Sequence, residues 1–143
     1  SGTPSKLSIM NVQTKSIHAQ STTLEIHNRT GWLNCSDAPI VRHDESLPTF
    51  IHLYSDIFAQ ITTFLPPHHG SDNDWSRDLL STLSMSIPPH MPKVVIPAHS
   101  HRHSHPGIDL IRYLQENHCT TFIVDHEPAN TYCEQQSFKV QYL

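Results

Sequence analysis

The stretch Ile61-Thr62-Thr63-Phe64-Leu65-Pro66-Pro67-His68-His69-Gly70-Ser71 reads as a short apolar strand halted by two prolines. Two imidazoles, a glycine and a hydroxyl follow at once. A strand end followed by a glycine-containing turn is a place where a rigid scaffold holds functional side chains. Adjacent imidazoles there can ligate a metal or meet an anion, and Ser71 can donate to a phosphate. Taken alone, a His-His pair is more often surface decoration.

Working outward, Phe50, Leu53, Tyr54, Ile57 and Phe58 recur at helical spacing, which predicts a helix over 49–60 with that face buried. After the quoted stretch, Asp72, Asn73 and Asp74 offer N-caps for a second helix that would bury Trp75, Leu79, Leu80 and Leu83. Pro88-Pro89 would end it. Lys93 to Pro97 reads as a strand, and a third helix is expected from near Pro106 to near His118, burying Ile108, Ile111 and Leu114. Thr121 to Val124 and Ser137 to Tyr142 read as closing strands. Upstream, Thr22 to Ile26 and Trp32 to Cys35 read as a hairpin turned by Asn28-Arg29-Thr30-Gly31, with Lys6 to Val12 a preceding strand. Short apolar strands alternating with amphipathic helices predict an α/β fold, a layered sheet with packed helices. The division expected is an N-terminal strand or linker over 1–20 and one unit over 21–143.

Composition narrows the function classes. The 143 residues suffice for one domain, and 36% are hydrophobic. The formal charge is −4 and Lys and Arg do not cluster, which counts against a module that holds nucleic acid by charge alone. No run reaches the roughly 18 to 20 apolar residues of a membrane-spanning helix. The three cysteines, Cys35, Cys119 and Cys133, form no C-x-x-C pair, as expected of a reducing, cytoplasmic compartment. Histidine is the outlier at 13 residues, a composition that points to metal or acid–base chemistry.

A second histidine group, His99-Ser100-His101-Arg102-His103-Ser104-His105-Pro106, also lies between a strand and a helix. His99 with His103, or His101 with His105, can chelate one ion, and the bland reading is a loop that takes up nickel or zinc opportunistically. The helix that follows offers free N–H groups to an anion. Asp37, just past Trp32–Cys35, is the third candidate, although an aspartate at a strand end is usually a turn former.

Taken together, Leu33-Asn34-Cys35-Ser36-Asp37, Pro67-His68-His69-Gly70-Ser71 and His103-Ser104-His105-Pro106 resemble the C-terminal half of the metallo-β-lactamase superfamily, and especially its ComEC-like branch of bacterial competence proteins. That branch typically shows Leu-Leu-Thr-Gly-Asp, Pro-His-His-Gly-Ser and His-Pro segments in this order. The resemblance covers residues 20–143. It implies half of an αββα sandwich in which Asp37 bridges two zinc or manganese ions and His68 ligates one. It also implies that His69 and Ser71 line the pocket and that His103, or less directly His105, faces the substrate phosphate or leaving group. The activity implied is metal-dependent hydrolysis of a phosphodiester, single-stranded DNA degraded during uptake, by a metal-bound hydroxide.

Two departures qualify this. The glycine expected before the bridging aspartate is Ser36, and the family's first metal motif, His-x-His-x-Asp-His, does not occur. The expectation is therefore an enzyme completed by a missing N-terminal half or a partner chain; the alternative is a non-catalytic interaction module that keeps the fold. A half-sandwich would also expose an apolar sheet face, which suggests a homodimer.

Overall fold

The computed structural model describes residues 7–19, 21–27, 29, 31–38, 46–85, 91–98 and 105–142. Its elements are β1 (Leu7–His18), β2 (Ser21–His27), β3 (Gly31–Asn34), α1 (Ser46–Phe58), β4 (Ile61–Leu65), α2 (Arg77–Ser84), β5 (Lys93–Pro97), α3 (Ile108–Glu116), β6 (Thr121–Val124) and β7 (Tyr132–Tyr142). They form two sheets. One is parallel with strand order β3-β4-β5-β6, and the other is antiparallel with order β2-β1-β7.

The parallel sheet is three successive βαβ units. Its strands run in chain order, so right-handed crossovers place α1, α2 and α3 on one face. One apolar core joins that face to the helices: Phe64, Val94 and Ile96 from the strands meet Leu47, Phe58, Leu79, Leu80, Leu83, Leu110 and Leu114. The apolar runs of β4, β5 and β6 are what strands of a covered parallel sheet require. Among the described residues no helix is long and apolar enough to cross a membrane.

The opposite face packs on the antiparallel sheet, and the seam between them is polar. Glu134 of β7 accepts hydrogen bonds from Trp32 Nε1 at 2.9 Å and Thr63 Oγ1 at 2.8 Å, and pairs with Lys93 Nζ at 3.4 Å. The three donors stand on β3, β4 and β5. Lys93 also donates to Ser16 Oγ of β1 at 3.1 Å, and His18 of β1 packs edge-on against Phe122 of β6. Among the described residues both faces of the parallel sheet are thus packed, while Trp32 and Ile123 on its edge strands stay exposed.

Several local expectations change. The hairpin is β1–β2, closed by the pair His18 and Ser21, not β2–β3. β3 leaves for the other sheet and pairs with β4. Gly31 is needed because the Gln60 carbonyl lies 2.6 Å from where its Cβ would stand, a close approach between neighbouring strands. The segment before residue 20 pairs through β1 with nearly the whole of β7, from Leu7–Tyr142 to His18–Tyr132.

The helix α1 buries Leu47 and Phe58, while Leu53, Tyr54 and Ile57 are exposed. It crosses between β3 and β4 at the edge of the sheet, where the core reaches only one side of the helix. Ser76, not Asp72, Asn73 or Asp74, caps α2, accepting from the Asp78 N–H at 3.2 Å. Trp75 precedes α2 and packs on Tyr113. In α3 the buried pair is Leu110 and Leu114, and Ile108 at the first turn is exposed. The helix begins two residues after Pro106, with Gly107 as its N-cap.

Candidate functional site at the carboxyl edge of the parallel sheet

All four parallel strands end on the same edge, and their loops carry the candidate residues. Ligands of open α/β sheets bind outside the carboxyl ends of the strands. After β3, Asn34 Oδ1 accepts the Ser36 N–H at 2.9 Å, and Ser36 turns the chain at φ +48°. This presents the Asp37 side chain, which is 77% exposed.

After β4 the buried Pro67 is followed by three left-handed residues in a row, His68 at φ +45°, His69 at φ +56° and Gly70 at φ +78°. Each non-glycine in that region costs about 1–2 kcal/mol. The surroundings hold it: the His68 N–H donates to the Ser36 carbonyl at 2.8 Å, and the Gly107 N–H donates to the Gly70 carbonyl at 2.8 Å. Backbone strain maintained in this way clusters at functional sites.

The result is that two residues 31 positions apart in sequence meet. His68 Nε2 lies 3.9 Å from Asp37 Oδ1, and its Nδ1 lies 3.2 Å from Asp74 Oδ2. The imidazole therefore stands between two carboxylates, and its buried Nδ1 makes no hydrogen bond to the inner one. Asp74 was expected only as a helix cap.

Ser71 is buried. Its Oγ accepts the Asn73 N–H at 3.3 Å, and its carbonyl accepts from Asp74 and Trp75, so it shapes the loop from within. His69 is exposed and borders two cavities. The smaller, about 150 Å³, is shared with Asn34, Ser36, Asp37 and Pro97. The larger, about 280 Å³, is shared with His105, Asp125 and His126. His103 lies outside the described residues, as do His99 and His101.

Asp125 and His126 were not singled out from the sequence. They follow β6 directly, and the strand-end rule that pointed to Asp37 and His68 applies equally to them. Cys35, at the base of the Asp37 loop, is buried, and burial pushes its thiol up to about 12, so it stays protonated near neutral pH.

Donors bonded to one tetrahedral zinc ion at about 2.0–2.2 Å sit roughly 3.3–3.6 Å apart, so Asp37 and His68, at 3.9 Å, would have to draw together slightly to share a metal. Catalytic zinc usually takes three protein ligands. Among the described residues no group of three His, Cys, Asp or Glu could hold an ion. What the two loops bring together is one carboxylate, Asp37, and one imidazole, His68.

Ser36 offers a direct check of the strained loop. Ser36→Gly should raise stability by about 0.5 kcal/mol, the relief of a left-handed serine less the added freedom of an unfolded glycine. Urea unfolding measures it, and a loss would mean that the Asn34–Ser36 turn already removes the strain.

Searches against models of protein families, curated proteins and solved structures return no match to this chain.

Proposed function

We propose that this chain provides part of the metal site of a metal-dependent hydrolase that cleaves phosphodiesters, with single-stranded DNA as the substrate class. The single observation that carries the reading is the Asp37–His68 pair, brought to 3.9 Å by two strand-end loops whose backbone is held in left-handed turns. Asp37 and His68 would hold zinc or manganese, with further donors supplied from beyond the described residues. When bound, such an ion acts as a Lewis acid and lowers the pKa of water.

The chain's own residues do the positioning. Asp74 stands 3.2 Å from Nδ1 on the inner side of the His68 ring, and Nε2 faces Asp37. His69, exposed between the two cavities, would move a proton to or from a substrate oxygen. The donor set of two favours a second reading, a non-catalytic interaction module that retains the fold.

Zinc and manganese titrations of the intact chain, Asp37→Ala and His68→Ala separate the two readings. We expect each substitution to weaken one shared site by about tenfold or more, an effect of the size that metal-site substitutions produce. Hydrolysis of single-stranded DNA would then be assayed with the same variants. Metal uptake indifferent to both substitutions would sink the hydrolase reading and leave the interaction module.

A further inference from the structure

We infer that the larger cavity, formed by His69, Pro97, His105, Val124, Asp125 and His126 with Ala98, is a nucleobase pocket. It would seat the base of the nucleotide whose phosphate lies at the Asp37–His68 pair. The phosphate end of this inference rests on the phosphodiesterase reading, whereas the pocket itself rests on its own walls.

The walls select a flat, uncharged, partly apolar group. Pro97, Ala98 and Val124 give an apolar floor, and the imidazoles of His69, His105 and His126 offer ring faces of the kind on which unstacked bases pile. Among the described residues no lysine or arginine lines the cavity, and Asp125 places a carboxylate there, which disfavours a phosphate. The volume, about 280 Å³, lies at the small end of ligand pockets and suits one base, not a helix or an extended apolar chain.

Position completes the case. His69 and Pro97 border both cavities, so the base pocket adjoins the Asp37 pocket across one residue of β5 and one of the β4 loop. A nucleotide seated with its base in the larger cavity would have its phosphate in the adjoining one, which Asp37 lines. Unstacked single strands present bases in this way, and a duplex does not.

The test is an NMR titration of the intact chain with deoxyadenosine, deoxyadenosine 5′-monophosphate and inorganic phosphate. It would be repeated on His126→Ala, an exposed position that the core does not use, and on Val124→Phe, which fills the cavity. Deoxyadenosine should saturate one site, go undisplaced by inorganic phosphate, and bind about tenfold more weakly in His126→Ala, the loss expected when one stacking side chain is removed. Asp37→Ala should leave deoxyadenosine binding unchanged. No saturable nucleoside binding, or binding indifferent to both His126→Ala and Val124→Phe, overturns the pocket even if zinc still requires Asp37 and His68. Nucleoside binding that needs His126, found with metal uptake indifferent to Asp37 and His68, upholds the pocket and removes the phosphodiesterase reading.

Discussion

Glu134→Ala should lower the folding stability by about 3–5 kcal/mol, the loss expected when one member of a buried ion pair is removed. The Glu134 side chain is 1% exposed and that of Lys93 is 4% exposed. The carboxylate accepts from Trp32, Thr63, Tyr132 and Gln136 at 2.6–2.9 Å, so its removal orphans several donors as well as a buried ammonium. Lys93→Met should cost less, because Glu134 would keep those donated bonds. Thermal or urea unfolding of both variants measures the difference. A loss below about 1 kcal/mol for Glu134→Ala would mean that water reaches the seam between the sheets and that the pair resembles a surface one.

The same residue sets an acid limit. Burial alone would raise the Glu134 pKa, but the bonds donated by Tyr132, Trp32 and Thr63 and the Lys93 charge outweigh it and hold the carboxyl below its ordinary range. As the pH falls, the unfolded chain therefore takes up this proton before the folded one does. The contribution is fully present above the ordinary glutamate pKa and is lost as the pH drops through it toward the lowered folded value. In Glu134→Gln that part of the acid unfolding limb should flatten.

These residues also show what a sequence can disclose. The strands β4, β5 and β6 were legible because a strand covered on both faces is apolar almost throughout. The order of strands and helices between them then implied the sheet. The placing of Asp37 and His68 was legible for a related reason: both stand just beyond strand ends, and parallel strands end on one edge. Pairing partners were not legible. Asn28 to Gly31 has hairpin chemistry locally, yet Gly31 serves a close approach to Gln60, and β1 finds β7 across more than a hundred residues. Lys93 in an apolar strand gives no hint of Glu134, since the partner lies in another sheet. The helix faces failed where the neighbours decide burial. Leu53 and Ile57 repeat at the right spacing, but the core at the sheet edge reaches α1 through Leu47 and Phe58.

Gly107→Ala is expected to cost about 2–4 kcal/mol and to disturb the site as well as the fold. A Cβ at Gly107 would run into the Asp72 carboxylate. That carboxylate caps α3 from outside the helix, accepting from the Asp109 N–H at 3.2 Å and the Leu110 N–H at 3.1 Å. Loss of an N-cap costs about 0.5–2 kcal/mol, and overpacking adds about 1–3 kcal/mol. Asp72 lies one residue beyond Ser71 in the loop that carries His68, so expelling it pulls on the left-handed turn that sets His68 against Asp37. If Asp37 and His68 hold zinc as proposed, its affinity should therefore fall along with the melting temperature, although Gly107 touches neither candidate ligand. A double-mutant cycle with Asp72→Ala isolates the cause. With the carboxylate already gone, Gly107→Ala should cost little, and the two losses should be strongly non-additive. Additive losses would mean that the residues act separately, leaving the Gly107–Gly70 backbone bond as the link through which α3 holds the His68 loop.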